Sequence, residues 1–137
     1  IMSNKTLPRG LRNNNPGNIR LGNSVWVGEI RPSRDPDFCQ FRDMKYGYRA
    51  LIRLLQNYRR KYYCQTIADM ISRWAPSSEN NTHAYILDVC RYLQVPTNFV
   101  PDIEDRDTMC GLAAAISRHE NGIDAEMSDI QEAWNLL

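Results

Sequence analysis

No stretch of the 137-residue sequence is apolar for long enough to cross a bilayer, and the N-terminus lacks the charged-then-apolar pattern of a secretory signal. A soluble chain without membrane insertion or an export address of its own is the expectation. Cysteine is sparse. Cys39, Cys64, Cys90 and Cys110 stand far apart and form no Cys-x-x-Cys pair, which speaks against a structural zinc or a dithiol redox motif. Buried free thiols are the expected state, with disulfides as the alternative. Histidine is sparser still, and His83 and His119 have no partner at ligand spacing, so no metal is expected. Internal repeats and low-complexity tracts are absent. The length allows one domain with a real core and is short for two, so residues 2 to 137 are read as a single domain. Ile1, ahead of Met2, is expected to be an addition before the natural start.

A strong net charge is missing too. The formal value is +1, yet the charges are segregated: residues 1 to 62 hold 13 Lys or Arg against four acids, and residues 63 to 137 hold four Arg against 12 acids. Three readings fit: a basic face for an anionic polymer, an acidic face for a partner, or two halves that attract each other when folded. Apolar residues (42%) and charged residues (24%) stand in the ordinary globular proportion, which excludes a wholly disordered chain.

What is present from Tyr46 onward is mostly amphipathic helix. Leu51, Leu54, Leu55, Tyr58 and Tyr62 follow the spacing of one helical face. Ile67, Met70, Ile71 and Trp74 form the next stripe, with Thr66 as N-cap and Pro76 as the stop. Ile86, Val89, Cys90 and Leu93 follow after Asn81 or Thr82. Met109, Leu112, Ala113 and Ile116 make a fourth stripe, with Gly122 placed to close it in the left-handed conformation. The last helix is expected to begin at Ser128, with Gln131 completing a capping box and Ile130, Ala133, Trp134 and Leu137 facing inward. Residues 8 to 45 differ. They hold four of the seven prolines, and "SVWVGEI" is their one β-leaning run, so a small hairpin or irregular lobe is expected, packed on the helices through Val25, Val27, Phe38 and Phe41. The fold class is α+β with helices predominant.

Two features bear on chemistry. The stretch "RGLRNNNPGNIRLG" crowds side-chain amides into one turn-forming segment. Asn15 and Asn18 supply matched donors and acceptors without a charge to desolvate, or they simply make turns and caps. In "TMCGLAAAISRHENG", Glu120 continues the apolar stripe four residues after Ile116. A carboxylate on a core face in a last helical turn is disfavoured in its charged form by burial and by the helix dipole, which suits a general acid. If the helix ends a residue early, Glu120 instead points to solvent.

"LAAAISRHENG" resembles the motif of goose-type lysozymes and lytic transglycosylases, an apolar helix of small residues ending in Glu-Ser-Gly whose glutamate is the catalytic acid; here Asn121 stands in place of the serine. "NPGNI" resembles the Asn-Pro-x-x-Asn-Ile segment that lines the cleft in the same families. "RWAPSSENNTHAYI" occupies the place of a later family segment in which an asparagine and a tyrosine near a helix start face the sugar. The whole chain is also similar to phage-associated and mobile-element proteins that begin Arg-Gly-(Ile/Leu)-Arg-Asn-Asn-Asn-Pro-Gly-Asn-Ile-Arg and are often labelled virion structural or lysis proteins. In the familiar enzymes the glutamate helix precedes the Asn-Pro segment, whereas here it follows. A circular permutation of a lysozyme-like fold accounts for the order.

The resemblance implies cleavage of the β-1,4 bond between N-acetylmuramic acid and N-acetylglucosamine, by lytic transglycosylation or hydrolysis, with Glu120 as acid. Glu79 is either a second carboxylate or a helix-start glutamate. Asn15, Asn18, Arg20, Trp26, Asn80, Thr82 and Tyr85 are the expected substrate contacts. Arg20 and Arg12 suit wall carboxylates, unless they are solvated surface arginines; Trp26 is a better sugar platform than Trp74, which falls in a core stripe. "RRKYY" at Arg59 to Tyr63 mixes basic and aromatic residues and reads as a nucleic-acid contact or, more simply, a solvated helix end. No cofactor and no nucleic acid are implied, and a monomer is expected. Action would be at the bacterial cell wall, after delivery by a virion, a lysis system or a secretion apparatus. The alternative is a non-catalytic virion or secretion-associated module that binds glycan or protein.

Overall fold

A computed structural model describes residues 7–137; the Ile1–Met2 start lies outside the described residues. The chain runs α1 (Arg9–Arg12), β1 (Glu29–Ile30), β2 (Gln40–Phe41), α2 (Met44–Tyr62), α3 (Ile67–Trp74), α4 (Thr82–Leu93), α5 (Arg106–Asn121) and α6 (Met127–Asn135). It is therefore α+β and predominantly helical. Among the described residues no helix is long and apolar enough to cross a membrane.

Helices α2 to α6 form the main lobe. Thr66 caps α3 by accepting from Asp69 N, while the Asp69 side chain returns a bond to the cap backbone. Asn81 accepts from Ala84 N at the start of α4, and Asp105 from Thr108 N at the start of α5. Gly122 closes α5 at φ 74. The last helix departs from expectation: it starts at Met127, and its N-cap Glu126 makes no side-chain bond, so the Ser128–Gln131 capping box does not form. The stripe on α5 is also broader than the sequence suggests, since Cys110, Leu112 to Ile116 and Ser117 are all buried. Small alanines let α5 lie between α4, α6, α2 and α1 as the central rod.

The front lobe is held by a two-stranded antiparallel ladder pairing Glu29 with Phe41 and Ile30 with Gln40, plus a bridge between Arg20 and Phe38. Its small core is Ile19, Cys39, Phe41 and Ala50. Val25 and Val27, expected to pack on the helices, are instead 62% and 53% exposed, because among the described residues the ladder starts beyond them at Glu29. Phe38 lies half-buried under the guanidinium groups of Arg9 and Arg20, at 4.5 and 5.0 Å. All four cysteines are free; Cys39, Cys90 and Cys110 are buried, and Cys64 is half-buried. Burial pushes the Cys39 thiol up to about 12, which makes it a packing residue rather than a nucleophile.

Charge segregation is partly resolved by pairing between the halves. Arg60 meets Glu104 at 2.5 Å and Arg20 meets Glu79 at 3.6 Å. A stronger ion pair stays within the front lobe, where Arg9 clamps Asp35 through two bonds of 2.6 Å. The Arg9 guanidinium, with the amide of Asn13 and the N–H groups of Asp37 and Phe38, holds the Asp35 carboxyl well below the usual carboxylate range. A depressed folded-state value contributes stability above about pH 4, the unfolded value, and that contribution is lost as pH falls towards the folded one. Denaturant melts across pH 7 to pH 2 are therefore expected to show a steeper acid loss for the natural chain than for Asp35→Asn. Parallel curves would mean that the clamp does not set acid stability.

Candidate active site

A cleft of about 420 Å³ opens between the front lobe and the helices. It runs along a seam marked by Trp74, which packs on both the helical core and the front-lobe core. On one wall are Asn18, Ile19 and Arg20; on the other are Trp74, Glu79 and Asn80, and Glu120 lies within it.

The helix does not end early. Glu120 is in the last turn of α5, half-buried, with both carboxylate oxygens engaged. Asn18 Nδ2 donates to Oε1 at 2.7 Å, and Tyr85 Oη donates to Oε2 at 2.7 Å. Asn18 reaches Glu120 from the left-handed region, φ 51, which asparagine tolerates better than most residues. Its backbone N–H closes the Pro16-Gly17 turn onto Asn15 O at 3.0 Å. Asn121, where the resembled families carry serine, donates to Pro16 O at 2.9 Å and so ties the α5 end to the same turn.

Gly10 completes this joint. A Cβ there would stand 2.7 Å from Asn121 Oδ1, 2.8 Å from Asn15 O and 3.0 Å from Asn18 Oδ1. The two amide oxygens have no hydrogen-bond partner, and a methyl at Gly10 would collide with both.

Tyr85 is 1% exposed, so it does not touch the cleft as the sequence reading expects. Burial, reinforced by the adjacent Glu120 charge, pushes its hydroxyl far above the usual tyrosine value, which keeps the proton available for donation. Its ring lies 3.7 Å, centroid to centroid, from that of His119, whose Nδ1 pairs with Asp88 at 2.6 Å. His119 thus braces the tyrosine from behind and does not face the cleft.

Other expected contacts need correction. Asn15 is fully buried: its amide donates to Ile19 O and Cys39 O and accepts from Ile19 N, so it builds the turn and has nothing left for a ligand. Trp26 packs on the front-lobe core and does not line the cleft, which Trp74 does. Thr82 is spent on Ala75 O at 2.5 Å, linking the α4 start to the α3 end. Arg12 bonds Leu7 O outside the cleft. Arg20, Asn18 and Asn80 do line it. Glu79, read as either a second carboxylate or a helix-start glutamate, lies in the turn before Asn81, ahead of α4 and in the cleft lining, and its pair with Arg20 is exposed on both sides, which makes it weak. Tyr58 and Arg73 also line the cleft. Tyr58 reads as core in the sequence because its helical spacing is the same whether the face meets other helices or a cleft. Among the described residues no three His, Cys, Asp or Glu side chains converge as a metal site.

Fold and site together define a mainly helical α+β domain with a carboxylate held at the junction of two lobes. No protein-family model matches the chain. It is 39% identical over 117 residues to "Protein P5" of Pseudoalteromonas phage PM2, a match covering 83% of this chain and 71% of that protein, and it belongs to the same family.

Proposed function

We propose that this domain cleaves peptidoglycan glycan strands at the β-1,4 bond between N-acetylmuramic acid and N-acetylglucosamine, as a circularly permuted lysozyme-like protein with Glu120 as general acid. The observation that carries the reading is the Asn18–Glu120 bond. It joins the amide-rich turn to a glutamate 102 residues later, inside an open cleft. In the reaction Glu120 gives its proton to the glycosidic oxygen as the bond to C1 breaks. Asn18 and Tyr85 fix the carboxyl group at that position and stabilise the carboxylate left behind. Asn18 and Tyr85 hold Glu120 in place, whereas Glu79 is exposed and only weakly paired with Arg20, so on this reading Glu120 acts twice. It then takes the proton of the C6 hydroxyl as that oxygen closes on C1. The product is a 1,6-anhydro end, no water is consumed, and the carboxyl group is restored. Arg20 and Asn80 are placed to meet wall carboxylates and N-acetyl groups. Kinship with a phage protein supports delivery to the wall by a phage particle or a related assembly.

A second reading, a non-catalytic glycan-binding or structural module of such an assembly, has one observation in its favour: both Glu120 oxygens already accept hydrogen bonds. Mass spectrometry of the soluble products released from purified peptidoglycan separates the two. Anhydro-muramyl ends are expected, reducing muramyl ends would move the second step to a Glu79-activated water, and no products from any wall type would leave the binding module.

Tyr85→Phe keeps the ring and removes the donor to Oε2. Since a hydrogen bond to a charged group is worth about 1.5–3 kcal/mol, kcat is expected to fall roughly tenfold to a hundredfold with KM little changed. Steady-state turnover of a soluble glycan oligomer reads this, and an unchanged kcat would remove Tyr85 from the mechanism.

A further inference from the structure

Beyond the cleft, an aromatic path continues along α2 and α3. Trp74 and Tyr58 meet edge to face at 6.2 Å, Tyr58 meets Tyr62 one turn later at 6.4 Å, and the Arg73 guanidinium lies 3.4 Å over the Tyr62 ring and 5.4 Å from that of Tyr58. Arg73 lines both the cleft and a second hollow of about 430 Å³, whose other walls include Tyr62 and Tyr63. These two tyrosines are 51% and 80% exposed, and Tyr63 is held outward by a left-handed turn at φ 56.

We propose that this hollow is a distal subsite for the same glycan strand, in which Tyr62 and Tyr63 pack on sugar rings and Arg73 takes a carboxylate carried by the polymer. The inference rests on the cleavage reading of the cleft and extends it. Three observations select this occupant. The path is continuous with the cleft through Arg73 and Tyr58. Among the described residues Arg73 forms no direct ion pair, so its guanidinium can take a ligand carboxylate, and the Asp69 carboxylate shares the hollow, kept charged by the N–H groups of Gln65 and Thr66. Of the neighbouring basic residues, Arg59 is consumed by the carbonyls of Cys64, Gln65 and Pro101 and Arg60 by Glu104, while Lys61 is exposed and has no ion pair among the described residues. One guanidinium that shares its hollow with a carboxylate, beside exposed aromatic rings, suits a sparsely charged sugar polymer better than a nucleic acid, which presents a negative charge at every residue.

Co-sedimentation with purified peptidoglycan sacculi, with Glu120→Gln as the common background so that the polymer survives, tests the subsite. Tyr62→Ser and Tyr63→Ser, both at exposed positions, and Arg73→Gln are each expected to weaken binding about fivefold to tenfold. In the Glu120-containing protein the two tyrosine variants are expected to cleave a short oligomer that fills only the cleft at the natural rate, and to lose turnover on long strands. Undiminished binding by both tyrosine variants, beside a parent that binds and a natural chain that cleaves, overturns the subsite and leaves the cleft reading intact. Salt-sensitive DNA binding that the same variants abolish, with sacculus binding unchanged, would assign the hollow to nucleic acid and overturn it as well. A natural chain that neither binds nor cleaves sacculi would overturn the cleft reading first, and the subsite with it.

Discussion

Glu120→Gln is expected to lower the release of soluble products from peptidoglycan by about a thousandfold, within the range of positioned acid–base catalysis. Glutamine matches glutamate in shape, so Asn18 Nδ2 can still donate to its amide oxygen, and the tyrosine hydroxyl can turn to accept from the new amide nitrogen. The junction between the lobes therefore stays closed, and thermal stability should move by no more than about 1 kcal/mol. What is removed, on the proposed mechanism, is the carboxyl proton that passes to the leaving oxygen. Retained sacculus binding with lost cleavage is the expected pair of results. Cleavage at the natural rate would show that Glu120 is not the acid and would turn attention to Glu79, the other carboxylate lining the cleft.

Gly47→Ala is expected to be strongly destabilising for the addition of a single methyl. Gly47 lies in the first turn of α2, and a Cβ there would stand 2.0 Å from Asn14 O and 2.7 Å from Pro16 Cδ. Neither obstacle is a mobile side-chain tip. Asn14 is pinned through its amide to Phe41 O, and the adjacent Asn13 O receives Phe41 N, so the turn cannot retreat without breaking the front-lobe core. Overpacking against backbone costs about 3 kcal/mol or more, which for a domain of this size lowers Tm by roughly 10 °C or more. Displacing residues 14 to 16 also carries Asn18 away from Glu120, so activity should fall even at temperatures where the variant is folded. Calorimetry and turnover of the same sample read both effects. A variant with natural Tm would mean that the turn and α2 are not in rigid contact.

Much of the helical lobe was legible because its signals are local. The Thr66 and Asn81 caps, the closing Gly122 and the stripes of α2 to α5 depend on residues within a few positions of one another, and periodicity reports them directly. The α6 start was misplaced because a capping box needs a conformation at Ser128 that the chain has already passed by entering the helix at Met127. The front lobe was legible as a small hairpin or irregular lobe, and the two-stranded ladder that forms takes its first strand from the end of the β-leaning run. Val25 and Val27 read as strand by composition, yet a strand forms only where it finds a partner, and the partner Gln40–Phe41 meets Glu29 and Ile30, the end of the same run, instead.

The candidate site divides along the same line. Sequence alone determined that Glu120 ends an apolar helix and that an amide-rich turn precedes the helical lobe, because each is a property of residue type and short-range spacing. Tertiary structure decided the division of labour: Asn18 to hold the carboxylate and Asn15 to hold only the turn, Tyr85 behind the glutamate rather than in the cleft, Trp74 rather than Trp26 on the cleft wall, and Tyr58 and Arg73 beside it. Those assignments depend on which long-range partner reaches each side chain first. An amide or a ring has the same chemistry in a core, a turn or a binding surface, and only the packing of the two lobes sets which one it occupies.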